Sequence, residues 1–229
     1  MNYNFEKYIE TLQKNPLFHD IPIMNIPLLL SGLQASLKSY PKNSYIKNSG
    51  EPADFIGIVL TGEIHIIQDD YYGNRNIIAS VIENELFGEA FACANMKHLP
   101  VDIIAASDCT ILFLNSNSLL YSCDGNCSFH HKLMNNLLHI IAVKNMMLNQ
   151  KLTYSAHKTT KEKLLAYLND MAKQNAADEF TIPFNRQQLA DYLGIERSAM
   201  STELNKLAKA GILETQRNHF KLIKTLEHR

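Results

Sequence analysis

The sequence predicts an α+β chain in which a mostly-β N-terminal region, one long helix and a small helical C-terminal region ending in a hairpin follow one another. Three observations carry this. Gly50, Gly57, Gly62, Gly73 and Gly88 separate short runs rich in Ile and Val, the punctuation of strands joined by tight turns. Residues 129–155 contain neither Gly nor Pro and repeat apolar residues at helical spacing. Residues 185–210 then hold two short amphipathic segments on either side of Gly194. The 229 residues allow two compact domains, and a composition of 46% hydrophobic and 20% charged residues is that of a globular chain that folds without metal or disulfide.

With 22 Lys and Arg against 23 Asp and Glu, the chain is not a wholly basic nucleic-acid binder, although a local basic surface can exist inside a neutral whole. The charge is uneven: residues 1–158 hold 11 basic and 14 acidic residues, residues 159–229 hold 11 basic and 9 acidic. No apolar run approaches the roughly 18 to 20 residues that span a bilayer, and Ile21–Leu30 is broken by Pro22, Asn25 and Pro27. Residues 1–10 carry Glu6 and Lys7 and lack the pattern of a secretion signal. A cytoplasmic protein with no membrane partner is expected, its Cys93, Cys109, Cys123 and Cys127 being free thiols.

Taken in order, Ile56–Leu60, Glu63–Gln68, Asn76–Ile82 and Asp102–Leu114 read as strands, with turns at Thr61-Gly62 and Tyr72-Gly73-Asn74, and their close spacing predicts a sandwich or barrel. The helix Phe129–Ser155 repeats Leu133, Leu137, Ile140/Ile141, Met147/Leu148 and Leu152. At 1.5 Å per residue it is roughly 40 Å long, too long to pack wholly on one small β domain, and the same helix of a second subunit is the economical cover for its apolar stripe. Thr159 and Glu162 form a Thr-x-x-Glu capping box, so a new helix, Thr160–Lys173, starts there and a hinge lies near His157. The predicted domains are residues 1–128, a helix and hinge 129–157, and residues 158–229.

Asn185 caps a first helix presenting Leu189, Ala190 and Leu193 on one face, Gly194 supplies the turn, and a second helix beginning near Glu196 or Arg197 buries Met200, Leu204 and Leu207. Arg197, Ser198, Ser201, Thr202 and Asn205 remain outward. This is the layout of a helix-turn-helix whose second helix enters the major groove of double-stranded DNA, where Arg can donate twice to guanine and Asn can pair with adenine. Glu214–Lys224, alternating around Arg217-Asn218-His219, reads as a wing. Any helical hairpin has a glycine and an apolar stripe; the wing and the basic tail argue against that blander reading.

This order of parts resembles the Crp/Fnr family of bacterial transcription regulators over nearly the whole chain. The run Gly50-Glu-Pro-Ala-Asp-Phe-Ile-Gly-Ile-Val-Leu-Thr-Gly62 is similar to the first signature of the family's β-roll, and Leu86-Phe87-Gly88-Glu89 is similar to the start of its phosphate-binding cassette. The resemblance implies a double-stranded β-helix (a jelly-roll-like β-roll), a long dimerisation helix and a C-terminal winged helix-turn-helix. It implies a homodimer on an inverted-repeat operator, with RNA polymerase a plausible further partner. It places Arg197, Ser198, Ser201 and Thr202 at base-reading positions and Asn185, Arg186 and Gln187 at phosphate. Asn205 and Arg217 join these as DNA-facing residues.

Two departures bear on the effector. Where cyclic-nucleotide binders carry Arg-Ser or Arg-Thr to neutralise phosphate, this chain has Pro100-Val101, and the hydroxyl pair that meets adenine falls at Leu148-Asn149. Burying an anion without its cation is costly, so the expected effector is an unknown small molecule other than cAMP, held near Gly88, Glu89, Pro100, Val101, Asn145, Leu148 and Asn149. A cAMP-dependent or heme- or redox-sensing regulator of the same family, and a constitutive DNA-binding protein with a vestigial sensor, are the alternatives. Cys123 and Cys127 fit either a redox pair or two small loop residues; the N-terminal cysteine group of iron-sulfur relatives is missing, since the first cysteine is Cys93. His65 and His98 are candidate heme ligands or ordinary histidines, and His130 and His131 point about 100° apart on a helix and do not chelate together. No nucleophile-base motif supports an enzyme built on Glu89, His98 and Cys109.

Overall fold

The computed structural model describes residues 5–69, 75–121 and 128–223. Backbone contacts divide the chain into two units, residues 1–143 and 144–229. The first opens with helices α1 (Ile9–Gln13) and α2 (Ile26–Gly32) and continues with strands β1 (Ser36–Tyr40), β2 (Tyr45–Lys47), β3 (Phe55–Thr61), β4 (Glu63–Asp69), β5 (Arg75–Ile82) and β6 (Leu86–Phe87). Helix α3 (Glu89–Cys93), strands β7 (Asp102–Ala105) and β8 (Cys109–Asn115), helix α4 (Ser116–Tyr121) and the long helix α5 (Ser128–Ala156) follow. Two antiparallel four-stranded sheets result, in the orders β1-β8-β3-β6 and β2-β7-β4-β5. This is the jelly-roll-like arrangement of the predicted β-roll.

The centre of the unit is β3, buried from Phe55 through Leu60. Because side chains alternate along a strand, its residues divide between two cores. Ile56, Ile58 and Leu60, with Leu112 and Leu114 of β8, pack against Leu12, Phe18 and Leu30 and against Leu133, Leu137 and Ile140 of α5. Phe55 and Val59, with Ile111 and Phe113, face Ile46, Ile64, Ile103 and Phe87 in the other core. The apolar run of β3 is thus a strand covered on both sides, and its outer face seats the first half of α5.

The predicted strand Asp102–Leu114 is two strands, β7 in one sheet and β8 in the other. The break at Ser107-Asp108 lies against the Thr61-Gly62 turn, where β3 gives way to β4 and the chain likewise changes sheet. Gly62 has φ +85°, and a Cβ there would lie 2.4 Å from the Asp108 carbonyl oxygen. The Glu63 N–H donates to Ser107 Oγ at 3.0 Å and the Lys42 N–H to Asp108 Oδ1 at 2.8 Å. Contacts distant in sequence set this corner, so periodicity alone did not mark it.

As the length of α5 predicts, only part of its apolar surface is covered within its own unit. Leu133, Leu137 and Ile140 turn into their own unit's core, whereas Leu138, Met146, Met147, Leu148 and Leu152 are more than half exposed. Asn136 Nδ2 ties the helix to the carbonyls of Leu17 and His19, at 2.9 and 2.8 Å.

The second unit contains the end of α5 and then α6 (Thr160–Asn175), β9 (Glu179–Thr181), α7 (Arg186–Leu193), α8 (Arg197–Lys209), β10 (Leu213–Gln216) and β11 (His219–Leu222). The capping box at Thr159 and Glu162 forms, and α6 runs two residues past the predicted end, to a left-handed Ala176. The wing is a three-stranded sheet, β10-β11-β9, in which β9 pairs with β11, Phe180 opposite Phe220. Lys224, at the end of the predicted wing, lies outside the described residues. Among the described residues no helix is long and apolar enough to cross a membrane.

Gly57 tests the central layer. A Cβ on it would sit 2.2 Å from Phe87 Cζ, inside a ring that is 1% exposed and edge-packed against Phe55 and Phe113. Gly57→Ala is expected to destabilise the fold by about 1–3 kcal/mol through overpacking, seen as a lowered urea midpoint. An unchanged midpoint would mean that the ring yields without loss.

Candidate functional site

The C-terminal site is assembled from two helix N-termini and the wing turn. Asn185 begins α7 in a reciprocal cap: its Oδ1 accepts from the Gln188 N–H at 3.0 Å, and its own N–H donates to Gln188 Oε1 at 2.8 Å. Gly194, at φ +60°, reverses the chain in the left-handed conformation that glycine adopts without strain. Leu189, Ala190 and Leu193 of α7 and Met200, Leu204 and Leu207 of α8 are buried, fixing the two helices against each other. Each such side chain contributes roughly 1.5–3 kcal/mol, Ala less.

On the outer side of α8, Arg197, Ser198, Ser201, Thr202 and Asn205 are all exposed, as the sequence predicts. Ser201 Oγ donates to the Arg197 carbonyl and Thr202 Oγ1 to the Ser198 carbonyl, each at 3.0 Å. Their hydroxyl protons are committed to the preceding turn, so toward a ligand they present acceptor lone pairs. Glu196, which the sequence reading used only to mark the start of the helix, makes no side-chain cap; its carboxylate receives the Ser198 hydroxyl. An exposed carboxylate at this place is an acceptor suited to the cytosine amino group. Its signal in the sequence was an acid next to the first arginine of the helix.

Arg186, Arg197 and Arg217 come together around a cleft of about 680 Å³, lined also by Pro183, Asn185, Gln187, Gln188 and Asn218. Among the described residues no acidic side chain lines it. Arg186 is held most firmly: its Nη2 donates to Thr215 Oγ1 at 2.6 Å and its guanidinium carbon lies 4.9 Å from the centre of the Phe220 ring. Burial pushes its pKa below the usual arginine value, yet an arginine stays charged at neutral pH. It fastens α7 to the wing as well as lining the cleft. Arg217, exposed, occupies the β10–β11 turn with φ +55°. Gln187 is exposed with its Nε2 on Asp191 Oδ1 at 2.9 Å.

In the first unit, Gly88 has φ +81° and packs against Phe55, where a Cβ would lie 3.0 Å from the ring. It turns the chain into α3, whose first residue, Glu89, is 5% exposed. Pro100 is exposed, whereas Val101 is buried. Asn145, Leu148 and Asn149 are exposed on α5 and belong to the second unit. His98 Nδ1 lies 2.9 Å from the Gly50 carbonyl and His65 Nε2 3.4 Å from Glu63 Oε1. Burial raises the thiol pKa of Cys93 and of Cys109. Cys123 and Cys127 lie outside the described residues.

Comparison with known proteins agrees with both units. Residues 37–126 match the family described as the cyclic nucleotide-binding domain, and residues 162–228 match the Crp-like helix-turn-helix domain. The transcriptional activator protein FnrL of Cereibacter sphaeroides is 22% identical over 186 residues, covering 77% of this chain and 71% of FnrL. Among solved structures, FixK2 from Bradyrhizobium japonicum has a TM-score of 0.51 at 22% identity, covering 83% of this chain and 93% of its own. The c-di-GMP responsive regulator CLP of Xanthomonas campestris has a TM-score of 0.55 at 18% identity, covering 89% of this chain and 100% of its own. At these identities the structures speak for the fold. The two matched domains in this order, one at each end of a long helix, place the chain in the Crp/Fnr family of transcription regulators, with a cyclic nucleotide-binding-like domain and a DNA-binding helix-turn-helix.

Proposed function

We propose that this regulator binds an inverted-repeat operator as a homodimer and responds to a small-molecule effector other than cAMP. The observation that carries the DNA part is the acid-free cleft in which three guanidiniums meet the N-termini of α7 and α8. Helix N-termini and arginines both favour phosphate, and the exposed row from Arg197 to Asn205 is the part left to meet base edges. In this reading Asn185, Arg186, Gln187 and Arg217 position the backbone, while Arg197, Ser198, Ser201, Thr202 and Asn205 read sequence.

The exposed face of α5 supports the dimer in this reading. Between Ala142 and Asn149 every residue is exposed, among them Val143, Met146, Met147 and Leu148. Water-exposed apolar area of this kind marks an interaction surface. Two-fold symmetry then demands half-sites about one helical turn, roughly 34 Å, apart.

For the effector, Glu89 with its cassette up to Val101 supplies the candidate contacts in the first unit, and Asn145, Leu148 and Asn149 of α5 are the candidates in the second. Pro100 supplies no cation and Val101 is buried, so a phosphate would go unneutralised there. The ligand that fits has apolar area and few polar handles.

Arg197→Ala is expected to cost about 1–3 kcal/mol in operator binding and to relax preference at one base pair, measured by titration against operator variants. Equal losses on specific and nonspecific DNA would remove its base-reading role. Leu148→Glu should give monomers in sedimentation; an unchanged dimer would move the interface elsewhere. Calorimetry with cAMP should show nothing tighter than about millimolar, near 4 kcal/mol. Pro100→Arg, at an exposed site, should improve that affinity about tenfold or more, since a charge-assisted hydrogen bond adds roughly 1.5–3 kcal/mol. Micromolar cAMP binding by the unaltered protein would restore a nucleotide sensor.

A further inference from the structure

The last turn of α7, which stands directly before α8, is held from outside its own helix. A helix leaves its final carbonyls without partners and carries a partial negative charge at that end. In α7 the Gly194 N–H donates to the Asp191 carbonyl at 3.2 Å and the Ile195 N–H to the Ala190 carbonyl at 2.9 Å. The Leu193 and Gly194 carbonyls are met instead by Lys163 Nζ, at 3.4 and 3.5 Å. The last turn of α7 contains no basic residue of its own. Its cation comes from α6, 30 residues before Leu193.

The root of this lysine is fixed. Its N–H donates to the Thr159 carbonyl at 3.0 Å, and its neighbour Glu162 closes the capping box that starts α6. The side chain is half-buried and stands outside the described residues that line the arginine cleft. A second cation reaches the same turn from α5, where Lys151 Nζ lies 5.8 Å from the centre of the Tyr192 ring. The helices on either side of the hinge thus each bring an ammonium to the last turn of α7.

We propose that Lys163 is a positioning residue for operator reading: its ammonium holds the Leu193-Gly194 turn, and through it the N-terminus of α8, in the orientation that presents Arg197 and Ser198 to the bases. The inference rests on the reading of α8 as the base-contacting helix and adds a residue that governs this contact without touching DNA. Only Ile195 and Glu196 separate Gly194 from α8, and Glu196 makes no side-chain cap that would stiffen the entry. Gly194 has open space where a Cβ would stand, so no packing of its own fixes it. Bidentate readout by arginine requires two hydrogen bonds at once, and a site about 1 Å too loose forfeits them.

The test uses the full-length chain and a duplex that the unaltered protein selects from a random-sequence pool, with a shuffled duplex for nonspecific binding. Lys163→Met keeps the length of the side chain and removes its charge. It is expected to weaken binding to the selected duplex about five- to tenfold, to leave the shuffled duplex within about twofold, and to keep the slope of log affinity against log salt unchanged. Lys163→Arg should recover most of the loss. Lys161→Met, which removes an equal charge from an exposed position in the same turn of α6, should bind as the unaltered protein does. Undiminished binding by Lys163→Met would overturn the proposal. A fall on both duplexes with a salt slope reduced by about one would make Lys163 a phosphate contact instead. No recovery with arginine, or an equal loss in Lys161→Met, would remove the contact with the turn as the cause. A Lys163→Met protein that no longer folds by circular dichroism would make the lysine a determinant of folding and sink the positioning role as well. Were the unaltered protein to select no duplex, the base-reading assignment itself would fail, and this inference with it.

Discussion

Burial of β3 on both faces is the constraint on which the first unit depends. A strand covered on one side tolerates polar residues at every second position, but here six consecutive residues, Phe55 to Leu60, must each find apolar company. Phe55, Phe87 and Phe113 meet edge to face at ring separations of 5.5–6.2 Å on one side, and the α5 residues Leu133, Leu137 and Ile140 close the other. The layer between the inter-sheet core and the long helix is therefore one strand thick.

The other end of α5 has different company. Tyr154, 1% exposed, lies among Tyr167 and Tyr192 at ring separations of 5.6 and 6.2 Å, and its hydroxyl donates to Asp170 Oδ2 at 3.0 Å. Burial first, and then that carboxylate, push the phenol pKa up, so it remains a neutral donor. Lys151 adds a cation 5.8 Å above the Tyr192 ring. Aliphatic packing thus holds the first half of α5 within the first unit, and aromatic packing holds its last turns within the second. Ala142 to Asn149 lies bare between the two attachments.

In the helix-turn-helix unit a nearly neutral chain produces a local concentration of positive charge by geometry. Arg186, Arg197 and Arg217 are far apart in sequence, and the wing sheet brings them to one cleft. Arg186 reaches it because the face of Phe220 and the hydroxyl of Thr215 accommodate the guanidinium, an arrangement worth about 0.5–2 kcal/mol for the ring contact. Phe220 in turn stacks on Phe180 of β9, so the short strand ahead of α7 supports the arginine indirectly.

The sequence by itself determined the elements whose information is local. The capping boxes at Thr159 and Asn185, the turn at Gly194, the span of α5 to within one residue at each end and the outward row on α8 all rest on neighbours within about four positions, which a linear reading contains. Tertiary structure alone decided the rest, because it depends on partners distant along the chain. It broke Asp102–Leu114 into two strands at a corner set by Gly62 and Lys42, and it recruited Glu179–Thr181 as a third wing strand through Phe220. It gave Arg186 a second task against Thr215, and it divided one apparent apolar stripe on α5 into an inward face and an exposed row. Periodicity can say that a helix has apolar residues on a side; only the position of the opposing core says which of them are already used.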